Sequence, residues 1–316
     1  MADKKIIAIL GATGSQGGGL ARAILNDRMG AFAARVLTRD PNSDKAQELA
    51  KLGAEVVKAD ANNMQSLRQA FDGAFGAFCV TFYWEHFRPE KEMAQASAMA
   101  AAAKMAGVKH VIWSTLEDTR LKVPLKDERM PTLMERYKVP HFDAKGESDN
   151  AFKQAGSPTT YLRTSFYWEN YIYFGLGPKR QPDGTLALTM PMGDKKLPGI
   201  AAEDIGRCAY GVFRKGVEYI GQTIGIAGEH LTGTQMAAAF TRALGKEIRY
   251  DAVTPEEYRG YDNPAAKDVA NMFQYISEFQ ADFCGIRNVE TSRSLNPDLQ
   301  NFERWLAQNK DRIPLE

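Results

Sequence analysis

The sequence predicts an α/β protein built on a doubly wound parallel sheet, with a smaller, discontinuous and mainly helical second domain beside it. Two observations carry this expectation. Short apolar runs alternate with stretches of helical periodicity through the first half, as in parallel strands covered on both faces. A glycine triplet, Gly11-x-x-Gly14-x-x-Gly17, directly follows the first apolar run and opens the first helical stretch.

Ile6 to Leu10 reads as a buried strand, followed by a helix from about Gln16 in which Leu20, Ala23 and Ile24 form an apolar stripe. Further strands are expected at Ala34 to Thr38, Glu55 to Ala59, Phe75 to Thr81, Lys109 to Ser114 and Thr159 to Arg163, with a last one at Gln222 to Ile226. Helices are expected at Ala46 to Leu52, Met64 to Phe71, Glu90 to Ala106, Asp143 to Gln154 and Ala202 to Lys215. The Glu90 helix is rich in alanine and stops at Gly107, a common helix terminator. Residues 117 to 140 carry many charges and Pro124, Pro131 and Pro140, which predicts a loop or lid with a short helix. Residues 171 to 198, rich in Gly and Pro, read as an insertion rather than a sheet layer. The end is helical in pattern: Thr234 to Leu244, Pro255 to Tyr261, Ala265 to Phe279 and Pro297 to Gln308.

Composition narrows the function classes. Forty basic and thirty-nine acidic side chains leave a net charge of +1, so no field pulls the chain onto nucleic acid. Cys79, Cys208 and Cys284 are scattered and odd in number, which suits free thiols in a reducing compartment. The start, Met1-Ala2-Asp3-Lys4-Lys5, leads into too few apolar residues for a signal core or membrane span. A cytosolic protein is expected, with the nucleus also open to it. His86, His110 and His230 show no metal-type spacing.

The glycine loop gives the first functional assignment. Gly11 permits a tight turn, Gly14 lets the backbone approach phosphates, and Gly17 allows close helix–strand packing. The helix start then offers free N–H groups to an anion. Gly11, Ala12, Thr13, Gly14, Ser15, Gln16 and Gly17 thus predict a Rossmann dinucleotide site. At the end of the second strand stands Arg39, whose guanidinium suits a 2′-phosphate, so NADP(H) is expected over NAD(H). Asp40, one position later, speaks for NAD(H). Asp60 and Ala61, after the third strand, border the adenine in this reading; Asp60 also reads as a helix N-cap. Residues 1–165 would form the nucleotide domain, completed by about 199–228. Residues 166–198 and 229–316 would form the smaller substrate or partner domain.

Several motifs extend this. The glycine loop, Thr38-Arg39-Asp40-Pro41, Phe82-Tyr83-Trp84-Glu85, His141 to Glu147 and Phe166-Tyr167-Trp168-Glu169-Asn170 resemble the NmrA-like family of atypical short-chain dehydrogenase/reductases. The nearest resemblance is to its HSCARG-type NADPH sensor proteins, and it spans nearly the whole chain. It implies an NADP(H)-binding redox sensor that regulates a protein partner such as a transcription factor. It further implies that Thr81, Phe82, Tyr83 and Trp84 line the nicotinamide-side ribose, that Lys145 reaches the ribose hydroxyls, and that Tyr167, Trp168, Glu169 and Asn170 flank the nicotinamide. Phe82 departs from the HSCARG type, which has asparagine there.

Active short-chain dehydrogenases use a tyrosine four residues before a lysine, with a serine at a neighbouring strand end. Here Ser114 and Lys145 are present and His141 stands at the tyrosine position, sharing a helix face with Lys145. Histidine can donate a proton near neutral pH. The alternative function is therefore an NADPH-dependent reductase of a small carbonyl, quinone or related apolar substrate. Tyr83, Trp84, Phe87, Phe166, Tyr167, Trp168, Tyr171 and Tyr173 would either line its pocket or belong to the core.

Overall fold

A computed structural model describes residues 4–315. Met1 to Asp3, part of the start read above, and Glu316 lie outside the described residues. Six strands form the front of the chain: β1 (Lys5–Ile9), β2 (Phe32–Thr38), β3 (Glu55–Lys58), β4 (Gly76–Cys79), β5 (His110–Thr115) and β6 (Thr159–Arg163). They alternate with α1 (Ser15–Asn26), α2 (Asp44–Lys51), α3 (Met64–Phe71), α4 (Pro89–Met105) and α5 (Pro140–Ala155).

After β6 come β7 (Phe166–Tyr167), the short helix α6 (Asn170–Tyr173), β8 (Lys179–Arg180), β9 (Leu186–Thr189) and β10 (Lys196–Ile200). Then follow α7 (Ala202–Lys215), β11 (Thr223–Gly225), β12 (Glu229–Thr232), α8 (Gly233–Leu244) and β13 (Ile248–Asp251). The chain ends with α9 (Pro255–Arg259), α10 (Ala266–Glu278), α11 (Gln280–Ile286), α12 (Val289–Leu295) and α13 (Phe302–Asn309).

Seven strands pair in parallel in the order β11-β6-β5-β4-β1-β2-β3. The strand order reverses between β1 and β4, so the connections after these strands diverge and leave a crevice at the carboxyl edge. Side chains of β1 alternate between two cores, as a period of two requires. Ile7 and Ile9 join Leu20, Ile24, Ile205 and Phe213 under α1 and α7. Ala8 joins Phe71, Met99, Trp113 and Phe152 on the face covered by α3, α4 and α5. Beneath the glycine loop α1 and α7 meet backbone to backbone. A Cβ on Gly206 would sit 2.1 Å from the Leu20 nitrogen.

Three expectations are corrected. Residues 171–198 are not a plain insertion: β8, β9 and β10 lie there, β10 pairing with β7 and β12, and β9 with β8 and β13. The second region is consequently mixed α/β, around a core of Trp168, Tyr171, Phe240, Phe273, Phe302 and Trp305. Residues 117–140 form the expected loop with one short 3-10 helix, Thr119–Leu121, anchored by Val123, Met130, Tyr137 and Val139, which are fully buried. Their polar groups are satisfied internally. The Lys138 ammonium donates to the carbonyls of Asp127 and Met130, and Asp143 accepts from Thr119, Lys138 and Val139. The helix expected from Pro297 to Gln308 starts only at Phe302, as α13 capped by the Asn301 side chain, and the separate α12, capped by Asn288, precedes the proline.

Candidate functional site

Gly11 adopts φ +63°, the left-handed conformation that glycine tolerates best, and turns the chain from β1 into α1. Gly17 lies so close beneath that turn that a Cβ there would stand 2.6 Å from the Gly11 carbonyl oxygen. No side chain caps α1 at Gly14, so its first N–H groups are left for a ligand. This loop fits a pyrophosphate: three small residues, a free helix start and no acidic group in the first turn.

At the adenosine side, Arg39 is exposed and its NH1 lies 2.7 Å from Oε1 of Glu85. The Glu85 hydrogen bond and charge raise the Arg39 pKa above its ordinary value. Asp60 stands near enough to add to the raised value, and its Oδ1 accepts from the backbone and side chain of Asn62. It is not the N-cap of α3; that is Asn63, whose side chain accepts from Ser66. Ala61 lies in the same turn.

Ser114 is buried, and its hydroxyl donates to Gln16 Oε1 at 2.8 Å. Gln16 in turn donates to the Tyr167 hydroxyl, which also meets Thr164 at 3.4 Å. Burial pushes the Tyr167 phenol up to about 12. The Ser114 hydroxyl thereby ties the end of β5 to the glycine loop. Trp168 and Glu169 are held in other contacts. Trp168 packs against Phe302 and Trp305 in the core, and Glu169 accepts from the Ala202 backbone and Trp305 Nε1, tying α7 to α13. Burial raises the Glu169 carboxyl despite those bonds. Asn170 begins α6 and is half-buried.

The chain after β4 brings the remaining groups together. Thr81 donates to Glu92 Oε1 at 2.6 Å and accepts from Lys145 Nζ at 2.6 Å. Lys145 Nζ also reaches the Thr81 carbonyl at 3.2 Å and Glu92 Oε1 at 2.8 Å. Glu92 is fully buried at the start of α4, and the Trp113 ring lies 5.3 Å below the ammonium. His86 accepts the Arg88 N–H at Nδ1, which leaves its proton on Nε2, 3.7 Å from Glu92 Oε2. Burial lowers the His86 pKa, consistent with a neutral ring.

One turn before Lys145, the His141 ring lies 4.7 Å from that of Trp84 and 6.0 Å from that of Tyr83. Its Nδ1 is 2.7 Å from Oδ1 of Asp268. Tyr83 is itself buried, its hydroxyl sealed and without a partner among the described residues, and burial raises its pKa. It is corrected from a ribose-lining side chain to part of the wall. Phe82 is exposed and Trp84 half-buried.

Sequence reasoning missed Glu85, Glu92 and Asp268. It also missed Glu117 and Arg287, a buried bidentate pair at 2.6 and 2.8 Å that joins the end of β5 to the C-terminal helices. Burial would raise the Glu117 carboxyl, but Arg287 outweighs it and the net shift is downward. Among the described residues no cluster of three His, Cys, Asp or Glu suits a metal ion, and no helix is long and apolar enough to cross a membrane.

Known proteins are similar to this chain in sequence and fold. An NmrA-like oxidoreductase of Cladobotryum, FrzB, is 30% identical over 293 residues, covering 85% of this chain and 83% of its own. The crystal structure of NmrA, a negative transcriptional regulator, superimposes in its NADP complex with a TM-score of 0.78 at 25% identity, covering 96% of this chain and 95% of NmrA. Its NAD complex gives 0.79 at the same identity and coverage. The model of the NmrA-like family matches residues 3–306. With a glycine loop at the switch point of a seven-stranded parallel sheet, this chain belongs to the NmrA-like family.

Proposed function

We propose that this protein is an NADP(H)-dependent oxidoreductase of small carbonyl, quinone or related apolar substrates. The observation that carries the reading is on α5, where Lys145 and His141 are each oriented by a buried carboxylate, Glu92 and Asp268. Buried ion pairs are poor devices for stability, and they recur where polar groups must be held for chemistry. Bound NADPH would supply the hydride.

The glycine loop, Gly11 to Gly17, would hold the pyrophosphate and Arg39 the 2′-phosphate, with Asp60 and Ala61 beside the adenine. Lys145 would bind the nicotinamide ribose by exchanging the longest of its three bonds, that to the Thr81 carbonyl, for a ribose hydroxyl. Thr81, Trp84, Tyr167 and Asn170 would surround the nicotinamide end. Trp84 and the exposed rings of Phe82 and Phe87 suit an apolar substrate body.

The test is NADPH oxidation, followed by absorbance, with a panel of aromatic aldehydes, ketones and quinones. Turnover that disappears in Lys145→Ala is expected. No oxidation with any member of the panel would overturn the reading.

A second reading is a redox sensor of the HSCARG type that regulates through a protein partner in the cytosol or nucleus. The likeness to NmrA, itself a transcriptional regulator, favours it. Buried anchors such as Val123 and Met130 tie down the 117–140 loop, whereas the turn at 182–185 is exposed throughout. Limited proteolysis there should differ between NADP+, NADPH and no nucleotide; identical cleavage would exclude this reading.

A further inference from the structure

We propose that His141 and Asp268 form an acid–base dyad that protonates the carbonyl oxygen during reduction, with His141 as the catalytic residue and Asp268 as its positioning residue. This inference rests on the oxidoreductase reading above and adds the proton donor and the substrate class, an aldehyde or ketone on an apolar body.

Asp268 stands in the first turn of α10, 127 residues from His141, and clamps it twice. Oδ1 lies 2.7 Å from the ring Nδ1, and Oδ2 accepts the His141 backbone N–H at 3.4 Å. A carboxylate only accepts, so Nδ1 carries a proton and Nε2 becomes the nitrogen that exchanges one. Among the described residues nothing hydrogen-bonds Nε2, and it is not one of the polar atoms sealed from solvent. The rings of Trp84, Tyr83 and Phe142 surround the imidazole at 4.7, 6.0 and 4.8 Å and oppose its rotation.

Most other donors nearby are committed. The Tyr83 hydroxyl is sealed, Ser114 donates to Gln16, and the three N–H groups of Lys145 face Thr81 Oγ1, the Thr81 carbonyl and Glu92; the Tyr167 phenol, which accepts from Gln16 and meets Thr164 at 3.4 Å, is the remaining donor. His141 and Lys145, at i and i+4, both face the 81–84 segment, one turn or about 6 Å apart along the helix.

In the reaction the carbonyl carbon takes the hydride and a C–H bond forms. The π pair moves to oxygen, the Nε2–H bond of the imidazolium breaks, and O–H forms. The carbonyl is reduced to the alcohol, NADPH is oxidised to NADP+, and the neutral ring, its Nδ1–H still held by Asp268, regains a proton from water.

The experiment combines ring 15N NMR of the full chain, labelled at its four histidines, with kinetics on the aromatic carbonyl panel. With signals assigned through His141→Gln, we expect a protonated, strongly hydrogen-bonded Nδ1 on His141. Asp268→Ala should abolish this signature and Asp268→Glu should keep it. His141→Gln and Asp268→Asn should lower kcat about 100-fold or more, with the KM for NADPH within about twofold. Partial recovery of kcat in Asp268→Glu would separate positioning from folding. An unprotonated Nδ1 in the parent protein overturns the dyad. So does full kcat in His141→Gln, an outcome that leaves the oxidoreductase reading standing. If no carbonyl oxidises NADPH, that reading fails and the catalytic role falls with it.

Discussion

Replacing Glu85 by glutamine should tighten NADPH binding and leave NADH binding unchanged. Glu85 lies 2.7 Å from Arg39, the side chain proposed for the 2′-phosphate, so carboxylate and phosphate compete for one guanidinium. Both side chains are well exposed, 66% and 43%, and such a pair contributes about 0–1 kcal/mol. A carboxylate left about 4 Å from the phosphate adds about 1 kcal/mol of repulsion per unit charge in water. Removing both effects should strengthen NADPH binding by about 1–2 kcal/mol, or about 5- to 30-fold. Arg39→Ala should cost about 1.5–3 kcal/mol, the range for hydrogen bonds to charged groups. In the double variant the release of Arg39 no longer contributes, so the benefit of Glu85→Gln should fall to the repulsion alone. Isothermal titration with NADPH and NADH at low and raised salt reads all of this, and screening should shrink the gain. Equal changes for NADPH and NADH in either variant would refute the reasoning.

Other perturbations test the scaffold of the site. Glu92→Gln removes the buried partner of Lys145, and breaking such a pair should cost about 3 kcal/mol by chemical denaturation. Gly206→Ala drives a Cβ into the backbone of α1 and should cost about 1–3 kcal/mol, with weaker nucleotide binding because α1 begins at the glycine loop proposed for the pyrophosphate. Urea unfolding and NADPH titration of that variant check both effects. Burial raises the Asp149 carboxyl to about 6 although Thr115 and Trp113 donate to it. Its folded value exceeds the unfolded one of about 3.9, so the folded state binds the proton more tightly and stability falls as pH rises from about 4 to 6. Asp149→Asn should therefore match the parent near pH 4 and exceed it on the order of 2 kcal/mol near pH 8 in urea unfolding.

Much of the site was legible because it is local. A strand, three glycines and a helix start form one continuous segment, and the i, i+4 spacing of His141 and Lys145 fixes a shared face whatever surrounds the helix. The carboxylates that orient them were not legible. Glu92 and Asp268 stand in the first turns of α4 and α10, where an acidic residue is explained by the helix dipole alone. The charges and prolines of the 117–140 segment match a solvated loop, and half of it is exposed, yet Lys138 finds backbone partners inside the fold.

The sequence alone determined the parallel sheet, the glycine loop and the lysine helix, since periodicity, glycine spacing and helical repeat act over a few residues. Tertiary structure decided which side chains those elements face. It drew Trp168 into the core, set Glu169 between α7 and α13 and Ser114 on the glycine loop, and it set Glu85 on Arg39, Glu92 on Lys145 and Asp268 on His141. These pairings join residues from 46 to 127 positions apart, and a buried charge takes its partner from whatever the fold packs against it, which no local pattern encodes.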